Sequence, residues 1–142
     1  MYTNARSVFN KIDDLQQMGT DYNVDIILVT ESWCNKNITN AMLNIPGFFL
    51  EEELRLDGID TLNGIGGGLL VYIKQGLKIN LLPLIDNDFC QYVRFQVGGT
   101  NSDQKIIFYL IYRSPNSNLA NNKKLLDLIP VNGRVPSRLS NK

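Results

Sequence analysis

The run Asp25-Ile26-Ile27-Leu28-Val29-Thr30-Glu31-Ser32-Trp33 sets a carboxylate at the end of a short apolar segment, with an aromatic two residues on. Ile26 to Val29 read as a strand buried on both faces. That puts Glu31 at the strand's C-terminal edge, where open α/β folds place ligand chemistry. A carboxylate there suits a hard cation such as Mg²⁺. The alternative is a solvated turn residue after a core strand. A second run, Ile106 to Ile111, ends in Tyr112-Arg113-Ser114-Pro115-Asn116. A Tyr hydroxyl and an Asn amide bind a phosphate oxygen or a water, and Arg113 offers two parallel bonds to phosphate. The alternative here is a Pro-Asn turn with an exposed Tyr. Asn4 also follows a strand-like start. An amide, a carboxylate, a phenol and an arginine gathered at one sheet edge would suit metal-assisted attack on a phosphate ester.

Positioning these groups takes alternating elements. Residues 1–4 read as strand. Val8, Ile12, Leu15 and Met18 then fall on one helical face, and Gly19 is the expected stop. Strand, helix and strand in this order predict a crossover unit. A short helix is expected within 35–43, a turn at Pro46-Gly47, and a strand from Phe48. The charged, then Gly-rich stretch 51–66 reads as an exposed loop. Leu69–Ile73, Leu77–Leu81, Tyr92–Val97 and Ile106–Tyr112 follow as strands without helices between them, which predicts an antiparallel-rich sheet. A helix is expected over 118–129. The fold class is α/β in the α+β sense, with mixed sheets and outer helices. Residues 131–142 are polar, carry Gly133 and Pro136, and read as a disordered tail.

Gly64-Ile65-Gly66-Gly67-Gly68 invites a phosphate-loop reading, but a strand follows it where that motif opens a helix, and no Gly-Lys-Ser/Thr is present. The preferred reading is a turn feeding a strand, with glycines admitting close backbone approach.

Composition narrows the chemistry. The 142 residues suit one domain, or part of a larger one, and 44% hydrophobic content supports a packed core. Fourteen basic residues balance fourteen acidic ones, so bulk charge does not announce a nucleic-acid binder, although phosphate contacts can be local. Histidine is absent, which removes the commonest general base and metal ligand. Cys34 and Cys90 are too few for a disulfide framework and read as small core or rim residues in a reducing compartment. Neither a signal peptide nor a membrane-length apolar stretch is visible, and the expected location is intracellular.

In order along the chain, Thr3-Asn4-Ala5-Arg6-Ser7 with Asn10-Lys11, then Asp25 to Trp33, then Pro46-Gly47-Phe48, Arg55, Asp57 and Gly66 to Ile73, and finally Ile111 to Asn116, resemble the successive motifs of endonuclease domains from non-LTR retrotransposons. These belong to the endonuclease/exonuclease/phosphatase superfamily, which includes the apurinic/apyrimidinic endonucleases. The resemblance implies a four-layer α/β sandwich and Mg²⁺- or Mn²⁺-dependent cleavage of a phosphodiester, with DNA as substrate. By position, Glu31 would be the metal ligand and Asn4 would support the metal or water network. Tyr112 and Asn116 would contact phosphate, with Arg113 beside them.

Two departures matter. The wider superfamily has one residue between the Tyr and the Pro, whereas Arg113 and Ser114 stand here, a form retroelement members tolerate. The later Gly-Asp-Phe-Asn and Ser-Asp-His motifs do not occur, and Asp127, after a helix-like run, is no substitute. The chain thus resembles the N-terminal half of such a domain, over residues 1–130. The implied partners are DNA and the remainder of a retroelement polyprotein with its reverse transcriptase, and no membrane. Loss of a general base lowers rate by about 10²–10⁴-fold, so activity is expected to be impaired or absent. The alternatives are a non-catalytic binding remnant and a phosphatase of the same superfamily.

Overall fold

The computed structural model describes residues 1–61, 64–84, 87–98 and 104–129. The tail expected at 131–142 lies outside them. The elements run β1 (Tyr2–Asn4), α1 (Ile12–Asp21), β2 (Ile26–Thr30), β3 (Phe48–Leu50), β4 (Ile59–Thr61), β5 (Gly64–Gly66), β6 (Leu69–Lys74), β7 (Ile79–Leu81), β8 (Gln91–Val97), β9 (Ile106–Tyr112) and α2 (Leu119–Leu128). This is an α+β fold with a mixed sheet, β1-β2-β6-β3, an antiparallel sheet, β7-β8-β9, and the small hairpin β4-β5.

The crossover predicted at the start is present: β1 and β2 are parallel, with Asn4 opposite Thr30, and α1 connects them. Asp13 and Asp14 sit in the first turn of α1, where carboxylates complement the helix dipole. Val8 and Leu15 are buried as the spacing predicts, but Met18 is 43% exposed and the helix runs through Gly19 to Asp21. The reason is packing. A Cβ on Gly19 would lie 3.3 Å from the Phe48 ring and 3.4 Å from Ile27. The missing side chain therefore lets the helix sit close to the sheet, and Gly19 takes the buried place the pattern assigns to Met18.

β2 and β6 are apolar on both faces and form the centre of the molecule. Ile27, Val29, Leu70 and Tyr72 face α1, packing with Ala5, Val8, Leu15 and Phe48. Ile26, Leu69, Val71 and Ile73 face the second sheet and meet Val93, Phe95 and Leu110. Each fully buried aliphatic or aromatic side chain contributes about 1.5–3 kcal/mol, so this double-sided burial fixes the register of both strands. In the second sheet Phe95 stacks on Phe108 across the β8–β9 pair, with ring centroids 5.1 Å apart.

The interval 35–66 is more ordered than the sequence suggests. The short helix expected within 35–43 is a single 3-10 turn, Asn40–Leu43. The stretch read as an exposed loop holds a second 3-10 turn, Glu52–Leu54, with Leu54 buried, and the hairpin β4-β5. Arg55 secures it. Its guanidinium pairs with Asp57 at 2.8 Å and donates to Asn40 Oδ1 and to the carbonyls of Asn35 and Ile38. One planar five-donor group thereby ties three segments together. α2 begins on Asn118, whose Oδ1 accepts from the Asn121 N–H at 2.9 Å, and buries Leu128 while Leu119 stays 86% exposed.

Candidate functional site

Strand ends converge beside Glu31. β1 and β2 finish side by side at Asn4 and Thr30, and β6 begins at Leu69 opposite Thr30. In the facing sheet Gln91, which opens β8, lies opposite Tyr112, which closes β9. Gly67 and Gly68 join the two groups. A Cβ on Gly67 would lie 2.5 Å from Gln91 Oε1 and 2.9 Å from the Tyr112 ring, and one on Gly68 would lie 2.3 Å from Ser32 Oγ. Only glycine admits such closeness, and both residues have positive φ, +74° and +91°. The glycines are thus the floor of the site and the lead-in to a strand, as the sequence argument preferred over a phosphate loop.

The carboxylate of Glu31 is held from several sides. Its Oε2 accepts the Trp33 indole N–H at 2.6 Å and the Gly67 backbone N–H at 3.0 Å. Tyr112 adds a side-chain hydrogen bond. Burial by itself pushes the Glu31 pKa up, but the bonds from Tyr112, Trp33 and Gly67 and the nearby Arg6 charge outweigh it, and the net shift is downward. The Tyr112 phenol moves the other way, to about 12, through burial and its bond to the Glu31 carboxylate and that group's charge. At neutral pH the pair is an ionised carboxylate and a neutral phenol, so Tyr112 is a proton donor in hydrogen bonds and not a base.

Glu31 itself has φ +55°, as does Trp33. Side-chain-bearing residues rarely adopt this left-handed region, which costs about 1–2 kcal/mol each. Tertiary bonds hold them there: Ser32 N–H donates to the Gly68 carbonyl at 3.2 Å and Trp33 N–H to the Gly67 carbonyl at 3.0 Å. Behind this floor, Gln91 accepts the Gly68 N–H through Oε1 at 2.7 Å and donates through Nε2 to the Asp57 carbonyl at 2.7 Å. Gln91 therefore links the Arg55–Asp57 clamp to the glycines.

The other residues singled out from sequence are placed unequally. Asn4 is exposed at the same sheet edge, one strand from Glu31. Asn116 lines, with Tyr112, Gln91, Asn121 and Phe89, a cavity of about 600 Å³, a size that suits a small ligand or one nucleotide. Arg113 is turned away, donating to Asn122 Oδ1 at 2.6 Å and to the Ser117 carbonyl, and it braces the start of α2. Trp33 and Gln91 have contacts at the site that the spacing did not reveal. Among the described residues no three His, Cys, Asp or Glu side chains gather as a metal cage. Cys34 is buried and Cys90 is half-buried, and burial pushes both thiols up, Cys90 to about 11, which fits inert packing residues.

The lowered Glu31 pKa has a consequence for stability. The folded state releases this proton more readily than the unfolded chain, so the stabilisation is present above the ordinary carboxylate range and is lost as pH falls through the folded-state pKa. Urea unfolding midpoints should therefore drop further on acidification for the wild type than for Glu31→Gln. Parallel curves for the two proteins would contradict this assignment.

Comparison with family models, with curated proteins and with solved structures finds no match to this chain. No helix among the described residues is long and apolar enough to cross a membrane.

Proposed function

We propose that this chain carries the phosphate-facing wall of a divalent-metal-dependent phosphodiesterase of the endonuclease/exonuclease/phosphatase type, acting on DNA as retroelement endonucleases do. The observation that carries the reading is the Glu31–Tyr112 pair. An ionised carboxylate and a neutral phenol stand at the converged ends of two packed sheets, bonded to one another and bordered by a cavity. The order of the motifs in sequence supports the same conclusion.

The donor set fits Mg²⁺ in its usual habit, in which one or two carboxylates are supplemented by water and substrate phosphate. Glu31 would hold the ion and Asn4 is the nearby amide at the same edge. Bound there, the metal would polarise the phosphate and lower the pKa of an attacking water. The chain's own groups have distinct tasks. Glu31 supplies negative charge oriented by Trp33 and Gly67. Tyr112 has a single O–H, which Glu31 holds here; turned to a phosphate oxygen once the carboxylate holds a metal, it would follow charge as it develops there. Asn116 lines the cavity.

A second reading has its own support. The chain contains no histidine, and among the described residues no three His, Cys, Asp or Glu side chains gather as a ligand group. These facts favour a wall that binds DNA without cleaving it. The test is conversion of supercoiled plasmid to open circles by the purified chain in Mg²⁺, with EDTA as the paired condition. Slow nicking abolished by EDTA is the expected result, since the family's general base is missing. Intact plasmid in both conditions sinks the catalytic reading in favour of binding alone.

A further inference from the structure

Trp33 is the chain's single tryptophan, it stands at the site, and it remains 40% exposed. Its backbone sits in the left-handed region, which glycine would occupy without strain. The indole has one polar group, a donor, and that N–H is spent on Glu31 at 2.6 Å. What the ring still offers to solvent is π surface and hydrocarbon, pinned at one edge to the carboxylate and therefore pre-oriented. Arg6, an exposed cation, lies close enough for its charge to act on Glu31. An anchored aromatic with a cation close by matches the parts of a nucleotide, a flat base and an adjoining phosphate.

We propose that Trp33 is a stacking platform for an unstacked nucleobase, and that the site takes single-stranded or locally opened DNA in preference to intact duplex. The proposal rests on the DNA reading above and names the form of DNA. In a closed duplex each base is already covered on both faces, so the indole has nothing to stack upon. In a single strand the base faces are available, and aromatic–base stacking is tolerant of sequence because every base has a π face. Its strength corresponds to roughly 5- to 150-fold in affinity.

Because Trp33 is the only tryptophan, its emission reports directly on what covers it. The first measurement titrates the unaltered chain, at low salt and without divalent metal, with a short oligothymidylate and separately with a long blunt-ended DNA duplex. Saturable quenching by the single strand, with little by the duplex, is the expected result. Equal quenching by both, or binding of the single strand with no change in emission, overturns the proposal. The second measurement follows anisotropy of the labelled oligothymidylate. Trp33→Leu should weaken single-strand binding by the factor above. Trp33→Phe should restore most of it, because it returns a ring while lacking the same N–H. Equal affinity for wild type and Trp33→Leu overturns the platform. The two claims fail separately: plasmid nicking without quenching preserves the nuclease reading and removes the platform, whereas quenching without nicking supports the platform and removes catalysis.

Discussion

Glu31→Gln should lower Mg²⁺-dependent plasmid nicking by roughly 10²- to 10⁴-fold, the range that corresponds to losing a few kcal/mol of metal-assisted transition-state stabilisation. The substitution is chosen because it separates charge from shape. A glutamine side chain has the same length and keeps one oxygen to accept the Trp33 and Gly67 N–H groups that Oε2 now accepts. What disappears is the negative charge and one acceptor. The bonds from Trp33, Gly67 and Tyr112 lose their charge assistance, which costs about 1–2 kcal/mol of stability. The unfolding midpoint should therefore shift modestly while the rate collapses. Where the unaltered chain nicks, a Glu31→Gln rate within a few-fold of wild type would remove Glu31 from the metal site.

Gly68→Ala should be among the most destabilising single-methyl additions in the protein, by about 2–5 kcal/mol out of the 5–15 kcal/mol typical of a domain. Two effects add. An alanine at φ +91° bears left-handed strain of about 1–2 kcal/mol. The new methyl would also lie 2.3 Å from Ser32 Oγ and 3.2–3.3 Å from the backbone nitrogens of Gly58 and Trp33, and overpacking of this kind costs about 1–3 kcal/mol. Ser32 is itself buried and has little room to yield. Gly76 provides the control. It has the same φ, +91°, but nothing lies within 4 Å of its notional Cβ. Gly76→Ala should show the strain alone, and the difference between the two variants, read from urea unfolding, measures the overlap. Equal losses would show that close approach at Gly68 is not what glycine provides there.

Much of the scaffold was legible because its strands are apolar runs of the right length. β2, β6 and β9 are buried or half-buried along most of their span, and no periodicity is needed to see them. The crossover followed from the amphipathic spacing around Leu15. Glu31 and Tyr112 could be singled out because each sits where such a run ends. The remainder was hidden for identifiable reasons. The hairpin β4-β5 and the Arg55 clamp sit in a polar, Gly-rich stretch where local pattern is silent and long-range bonds set the shape. The left-handed backbone at Glu31 and Trp33 is imposed by Gly67 and Gly68, so neither residue's own propensity announces it. Arg113 looked like a phosphate ligand by residue type, and the beginning of α2 claims it instead.

The bonds that define the site also say how it must come into being. Glu31 meets Gly67 across 36 positions of chain, and Gly68 meets Gln91 across 23; the partner farthest along the chain is Tyr112. Of the bonds that hold the Glu31 carboxylate, only the one from Trp33, two residues on, is local. A peptide bearing only Asp25 to Trp33 would contain the motif and at most its Trp33–Glu31 bond, since the Gly67 and Tyr112 anchors lie beyond its end. Loops of this length close against an entropy cost that only the assembled sheets offset, and contacts of high sequence separation are the slow ones to form. The carboxylate's setting is therefore a late product of folding, and any lesion that delays docking of the two sheets delays the site with it.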